Sequence, residues 1–173
     1  VPVQSGSNDV LNDMKRGHTV ETFKNVVRKF RTKFEAFTIS TDIIIGYPTE
    51  TKENFDETIG LLKETRPDIV NLSRYSKRPG TDAAKMTQID AAEIKRRSKR
   101  TTVLINEISL ENNKKWIGWK GNVLFDENLH GQVKGRNFAY KPIFVNDGIE
   151  IGQSHMVKVT DATNHSLVGE IAS

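Results

Sequence analysis

A chain of 173 residues, 36% hydrophobic and 28% charged, holds enough apolar material for one ordinary domain or two small ones and too much for a disordered segment. Cysteine is absent, which excludes disulfides, thiolate metal sites, cysteine nucleophiles and cysteine-ligated iron–sulfur clusters within this chain. The net charge of +4 is uneven, since five bases and six acids lie from Gly118 onward and leave +5 on the first 117 residues; no apolar run approaches the roughly 20 residues that cross a bilayer, so a cytoplasmic protein is expected.

Val1-Pro2-Val3 runs apolar and extended into Gln4-Ser5-Gly6-Ser7 and reads as the end of a strand. Ser7 is placed to cap a short helix, Asn8 to Arg16, with Gly17 ending it. Thr19 caps a longer one, in which Val20, Phe23, Val26, Val27, Phe30 and Phe34 recur as an apolar stripe. Phe37 to Ile45 alternates and then becomes continuously apolar, as a strand buried on both faces does. Gly46 and Pro48 stop it, Thr49 or Thr51 caps a helix over about Lys52 to Thr65, and Ile69 to Tyr75 forms a third strand. Right-handed crossovers lay these strands parallel with their loops on one rim. Three strands cannot close a barrel, so the expectation is a partial (βα) barrel, an α/β arc whose carboxyl rim is the ligand side.

Asp90 and Glu93 resemble a capping box and open a long helix to about Trp116. After Gly118, short alternating segments follow at 123–125, 132–134, 142–145, 155–159 and 167–171, separated by Gly, Asn and Asp turns. This predicts a small all-β barrel of five strands, of the oligonucleotide-binding kind. The domains are therefore expected at 1–109 and 110–173.

Several groups of residues can carry chemistry. Gln4-Ser5-Gly6-Ser7 offers hydroxyls, an amide and backbone donors to a carboxylate or phosphate, or else is a plain capped turn. Glu50, after Gly46, can accept from ligand hydroxyls or complement a helix amino terminus. Asp42, inside the strand, needs a partner and reads as structural. Arg74, Lys77 and Arg78 can hold phosphate, a substrate carboxylate or RNA backbone, or form a solvated loop. The basic run containing Arg96, Arg97 and Arg100 is either a solvated helix face or a phosphate-binding one. Arg136, Phe138, Tyr140 and Lys141 interleave cations with rings, which suits stacking on unpaired bases, although Phe138 has the alternative of filling the barrel. His18, His130, His155 and His165 show no metal-ligand spacing.

Taken together, Val1 to Ser7, Met14-Lys15-Arg16, Thr41 to Thr51, Tyr75 to Thr81 and Gly135 to Pro142 resemble the radical S-adenosylmethionine tRNA methylthiotransferases, in the branch acting on threonylcarbamoyladenosine beside the anticodon. Thr49 departs from the glycine more usual there. The resemblance implies the carboxyl-terminal part of such an enzyme, the end of the radical SAM barrel plus a TRAM domain. It also implies S-adenosylmethionine near Gln4, Ser5, Ser7, Gly46, Glu50 and Arg74, and tRNA on Lys77, Arg78, Arg96, Arg97, Arg100, Arg136, Phe138, Tyr140 and Lys141. The family's two [4Fe–4S] clusters use cysteines that this chain lacks, so the chain alone is expected not to catalyse the reaction. Its sheet edge is expected to be exposed and open to non-native dimerisation. The competing reading is a non-catalytic RNA-binding module with the α/β arc as scaffold.

Overall fold

The computed structural model describes residues 1–129, 131–146 and 148–172. The chain divides into two compact units, Val1–Glu35 with Ile39–Ile105, and Ala36–Thr38 with Asn106–Ser173.

The first unit contains α1 (Asn8–Asp13), α2 (Val20–Lys33), β1 (Ser40–Ile45), α3 (Lys52–Thr65), β2 (Ile69–Arg74), α4 (Asp82–Lys85) and the larger part of α5 (Ala91–Lys114). β1 and β2 pair in parallel from Ser40↔Ile69 to Ile45↔Arg74. On the other edge of β1, Gln4 makes a single parallel bridge to Ile43. Its N–H donates to the Asp42 carbonyl and its own carbonyl accepts from the Ile44 N–H, each at 2.9 Å. The α/β arc is thus present, with the Val1–Gln4 segment contributing one bridge, at Gln4, and not a full strand.

Local chemistry accounts for the element ends. Thr51 and Asn54 form a reciprocal capping box that opens α3, and Arg66 at φ 41° closes it before Pro67. Phe55, Ile59 and Leu62 are buried on that helix as their spacing requires. α1 is shorter than expected: Lys15 takes the left-handed conformation at φ 57°, and the Arg16 N–H returns to the Leu11 carbonyl, so the helix ends before Gly17 is reached. Ser7 does not cap it with its side chain. On α2 the expected stripe is buried at Val20, Phe23 and Val27, but Phe30 and Phe34 remain 47% and 45% exposed. β1 is not buried on both faces either: Thr41, Ile43 and Ile45 are buried, while Asp42 and Ile44 are half-buried beside a cavity. The continuous apolar run misled because one face of the strand serves that cavity and not a core.

The second unit is a closed barrel of β3 (Lys120–Leu129), β4 (Gln132–Arg136), β5 (Pro142–Val145), β6 (Ser154–Ala162) and β7 (Leu167–Ile171), in the order β3-β4-β5-β7-β6. Every pairing is antiparallel except β5 with β7, and β6 returns to β3. Val123, Phe125, Val133, Ile143, Val145, Val157, Val159 and Leu167 fill it, each on the inward side of an alternating strand. Gly135 lets β4 lie close to β3, since a Cβ there would stand 2.6 Å from the Leu124 carbonyl oxygen. The five segments expected from the sequence are these five strands.

Candidate functional site

The carboxyl ends of β1 and β2 open onto a cavity of about 700 Å³. Gln4, Asp42 and Ile44 line one side, Asn71, Arg74 and Tyr75 another, and Tyr47, the turn after α1, Arg78 and residues 80–83 complete it. Gln4 is buried and holds φ 73°, a left-handed conformation uncommon for a residue with a Cβ, kept there by its two hydrogen bonds to β1. Asp42 and Asn71 are cross-strand partners, and the Asn71 amide donates to the Asp42 carboxylate at 2.8 Å. That leaves further acceptor capacity on Asp42 and an amide oxygen on Asn71 beside the cavity.

Two tyrosines form the far wall. Tyr47 and Tyr75 meet edge to face at 5.5 Å, and the Tyr47 hydroxyl donates to the Asp13 carbonyl at 3.0 Å. Burial, with the negative charge of Asp13 nearby, pushes the Tyr47 hydroxyl above its ordinary pKa. The Tyr75 hydroxyl is buried without a hydrogen-bond partner among the described residues, an unspent donor in the wall of a cavity.

Of the six residues expected to face a cofactor, the structure brings Gln4 and Arg74 to this cavity. Ser5 and Ser7 are buried and turned to α3. The Ser5 hydroxyl lies 3.4 Å from that of Thr58, and the Ser7 hydroxyl accepts from the Asn54 amide at 2.8 Å. Gly6 between them packs backbone to backbone, since a Cβ would come within 2.4 Å of the Thr58 Cα.

Gly46 and Glu50 belong to a second buried network. The Glu50 carboxylate accepts from the Gly46 N–H at 3.2 Å and from Arg97 at 2.6 Å. Arg97 also donates to the Glu50 carbonyl at 3.0 Å and to Glu93 at 2.7 Å. Burial pushes the Glu50 carboxyl above its ordinary pKa despite Arg97 and the Gly46 N–H, whereas Arg96 and Arg97 hold Glu93 down at about 2. Glu50 therefore braces the strand-end turn, where Gly46 at φ 83° abuts Ile94. A ligand-facing carboxylate is replaced here by an internal one.

The expected RNA contacts divide similarly. Lys77 and Arg78 are exposed in the loop after β2. Arg97 is buried and engaged with Glu50 and Glu93. Arg96 pairs with Glu93 and Arg100 with Asp56, both at the surface.

In the barrel unit, Lys141 is buried and donates to Asn113 at 2.9 Å. The Asn137 side chain accepts from the N–H groups of Ala139 and Lys141, and the Thr38 hydroxyl donates to the Ala139 carbonyl. These bonds fix residues 137–141 with Tyr140 at φ 64°, leaving Phe138 and Tyr140 each 70% exposed. Arg136 lies over the Tyr140 ring at 4.8 Å, and Phe138 is 6.0 Å from Trp116. Phe138 does not fill the barrel.

His130 lies outside the described residues; His18 and His155 bond to the Val3 carbonyl and Gln153, and no group of three metal-ligating side chains occurs among the described residues. Sequence reasoning missed Asn71, Tyr75 and Arg16 as cavity residues. The available signal was register: Asn71 is the third residue of β2, as Asp42 is of β1.

Comparison with known proteins agrees with the motif reading. Residues 1–62 match the Radical SAM superfamily. Over its full length the chain is 46% identical to the "Probable threonylcarbamoyladenosine tRNA methylthiotransferase" of Archaeoglobus fulgidus, covering 41% of that protein. Over 99% of its length it is 39% identical to the threonylcarbamoyladenosine tRNA methylthiotransferase of Drosophila melanogaster, covering 31% of it. It is also 40% identical, again over 99% of its length, to the tRNA-2-methylthio-N(6)-dimethylallyladenosine synthase of Bacillus cytotoxicus, covering 35%. The chain spans about two-fifths of the length of the first of these curated relatives and about a third of the other two. By these matches the chain is homologous along its whole length to a part of the tRNA methylthiotransferases, with radical SAM sequence at its amino-terminal end.

Proposed function

We propose that this chain supplies the carboxyl-terminal portion of a cytoplasmic radical SAM tRNA methylthiotransferase, which adds a methylthio group to N6-threonylcarbamoyladenosine next to the anticodon. The observation that carries the reading is the cavity at the carboxyl rim of β1 and β2, part of whose wall, from Gln4 to Tyr47, lies in the stretch with radical SAM sequence. Its volume suits a nucleoside-sized ligand. Gln4 offers a fixed backbone and amide, and Asp42 with Asn71 offers acceptors for ribose hydroxyls or an adenine amino group. Tyr75 adds a donor, and Arg74 sits at the end of β2. These residues fit S-adenosylmethionine. They do not fit an iron–sulfur cluster, because the chain has no cysteine, and the two [4Fe–4S] clusters of the intact enzyme would be held elsewhere.

The chemistry that the cofactors supply when bound is a radical that removes hydrogen from the adenine ring, so that a methylthio group can enter. This chain's residues bind and orient. The first unit holds the adenosyl end, and the exposed ring loop 137–141 of the second offers a stacking surface to unpaired tRNA bases. Isothermal titration of the chain with S-adenosylmethionine tests the reading. Saturable binding, weakened about tenfold or more by Asp42→Ala through loss of charge-assisted hydrogen bonds, is expected. Absent cofactor binding together with retained tRNA binding would favour an RNA-binding module with the first unit as scaffold.

A further inference from the structure

Four cations and three acids line the cavity, and they are not paired off evenly. Lys15 and Asp82 bridge at 2.9 Å, tying the turn after α1 to the start of α4. Asp42 is engaged by Asn71. Arg16 and Arg78, on the two segments that this bridge joins, line the same cavity, and neither has a carboxylate partner among the described residues.

Both arginines stand on fixed backbone. The Arg16 N–H is held by the Leu11 carbonyl at 2.9 Å, and the Arg78 carbonyl accepts from the Thr81 hydroxyl at 2.8 Å in a turn through Gly80. The Tyr47 hydroxyl, bonded to Asp13, anchors the turn from the β1 side. Arg16 and Arg78 thus line one cavity from a braced lip, on which Lys15 is paired with Asp82 and Asp13 is the other acid. A guanidinium pair in this arrangement selects a planar anion, which it can grip through two parallel N–H bonds.

We propose that Arg16 and Arg78 form a carboxylate subsite that receives the amino-acid end of the modified adenosine. The inference rests on the function proposed above and deepens it. A threonylcarbamoyl group ends in a carboxylate, and a dimethylallyl group carries no charge; relatives named for each of these two nucleosides are both near 40% identical to this chain. An unpaired guanidinium pair at the cavity mouth gains nothing from the neutral group and would be left partly desolvated against it.

The experiment uses the whole chain and four probes: N6-threonylcarbamoyladenosine, its methyl ester, N6-dimethylallyladenosine and inorganic phosphate. Binding is followed by NMR titration, with S-adenosylmethionine titrated in parallel. The acid is expected to bind about tenfold or more tightly than the ester or the dimethylallyl nucleoside. Arg16→Gln and Arg78→Gln should each shrink that gap and leave the ester affinity in place. Equal binding of acid and ester overturns the subsite, and intact S-adenosylmethionine binding then leaves the wider reading standing. Phosphate displacing the acid at comparable concentration also overturns it, in favour of a general anion or RNA-backbone site. Failure of every nucleoside overturns it as well, and failure of S-adenosylmethionine in the same samples removes the wider reading with it.

Discussion

Glu50 and Arg97 are buried as an ion pair whose geometry explains why the strand-end turn holds its shape. The pair is saturated on one carboxylate oxygen, which takes both Arg97 and the Gly46 N–H, while the other, Oε2, has no hydrogen-bond partner among the described residues. Removing Arg97 leaves a carboxylate in a dry site. Arg97→Met is therefore expected to cost about 3–5 kcal/mol at pH 7, read by urea unfolding followed by circular dichroism. The pH dependence follows from the direction of the shift. Because Glu50 is raised in the folded state, the fold holds its proton more tightly than the unfolded chain does, and stability declines as pH rises above the ordinary carboxylate value of 4.5. Without Arg97 that decline steepens. Glu93 acts in the same sense on the difference, since its depressed pKa makes a contribution that is present above 4.5 and lost as pH falls toward about 2. The deficit of Arg97→Met should accordingly be largest near neutrality and shrink below pH 4.5. Arg97→Met combined with Glu50→Gln should recover a large part of it, and an equal deficit in the double variant would contradict the pairing.

At the level of elements, two glycines around α3 make opposite predictions. Gly6 lies against the helix backbone with no space for a methyl group, and the obstructing atoms are the Thr58 Cα and N and the Glu57 carbonyl, none of which can rotate away. Gly6→Ala must push the Gln4–Ser7 segment off α3 and is expected to destabilise by about 1–3 kcal/mol. Gly60, on the exposed side of the same helix, has open space around it. Gly60→Ala should stabilise by about 0.5–1 kcal/mol, and paired thermal melts distinguish the two signs. The contrast shows what was legible in the sequence. Caps, breakers and alternation wrote out the barrel strands and α3, because those signals are local. The reach of Lys15 into left-handed backbone and the exposure of Phe30 and Phe34 depend on neighbours that periodicity does not name. The site was half legible for the same reason. Motifs led to the rim that carries the cavity, but Ser5, Ser7 and Glu50 are polar residues whose partners, Thr58, Asn54 and Arg97, come from distant helices. Polarity at a loop announces a hydrogen bond without saying whether the partner is a ligand or the protein.

For the whole molecule, the question is how many cations remain to meet RNA. Seven were expected there. Arg97 and Lys141 are buried and committed, which leaves Lys77 and Arg78 without ion pairs among the described residues, and Arg96, Arg100 and Arg136 in surface pairs with Glu93, Asp56 and Asp126. Surface pairs are worth at most about 1 kcal/mol each, so a phosphate can take over some of them. Three or four phosphate contacts at roughly −0.7 each give a slope of about −2 to −3 for log affinity against log salt on a single-stranded loop. Between 50 and 200 mM salt, binding of an anticodon stem-loop should then weaken about 20- to 50-fold, whereas seven contacts would weaken it about 900-fold. The remaining affinity has to come from stacking, for which Phe138 and Tyr140 are held exposed on a fixed loop. Phe138→Ala and Tyr140→Ala should each reduce affinity about tenfold with the salt slope unchanged, because a ring releases no counterions. Arg136→Gln should do the reverse, flattening the slope by about 0.7 while also loosening the ring on which its guanidinium rests. A slope of about −3.5, or an aromatic variant that alters the slope, would mean that the surface pairs open fully on binding and that electrostatics, not stacking, holds the RNA.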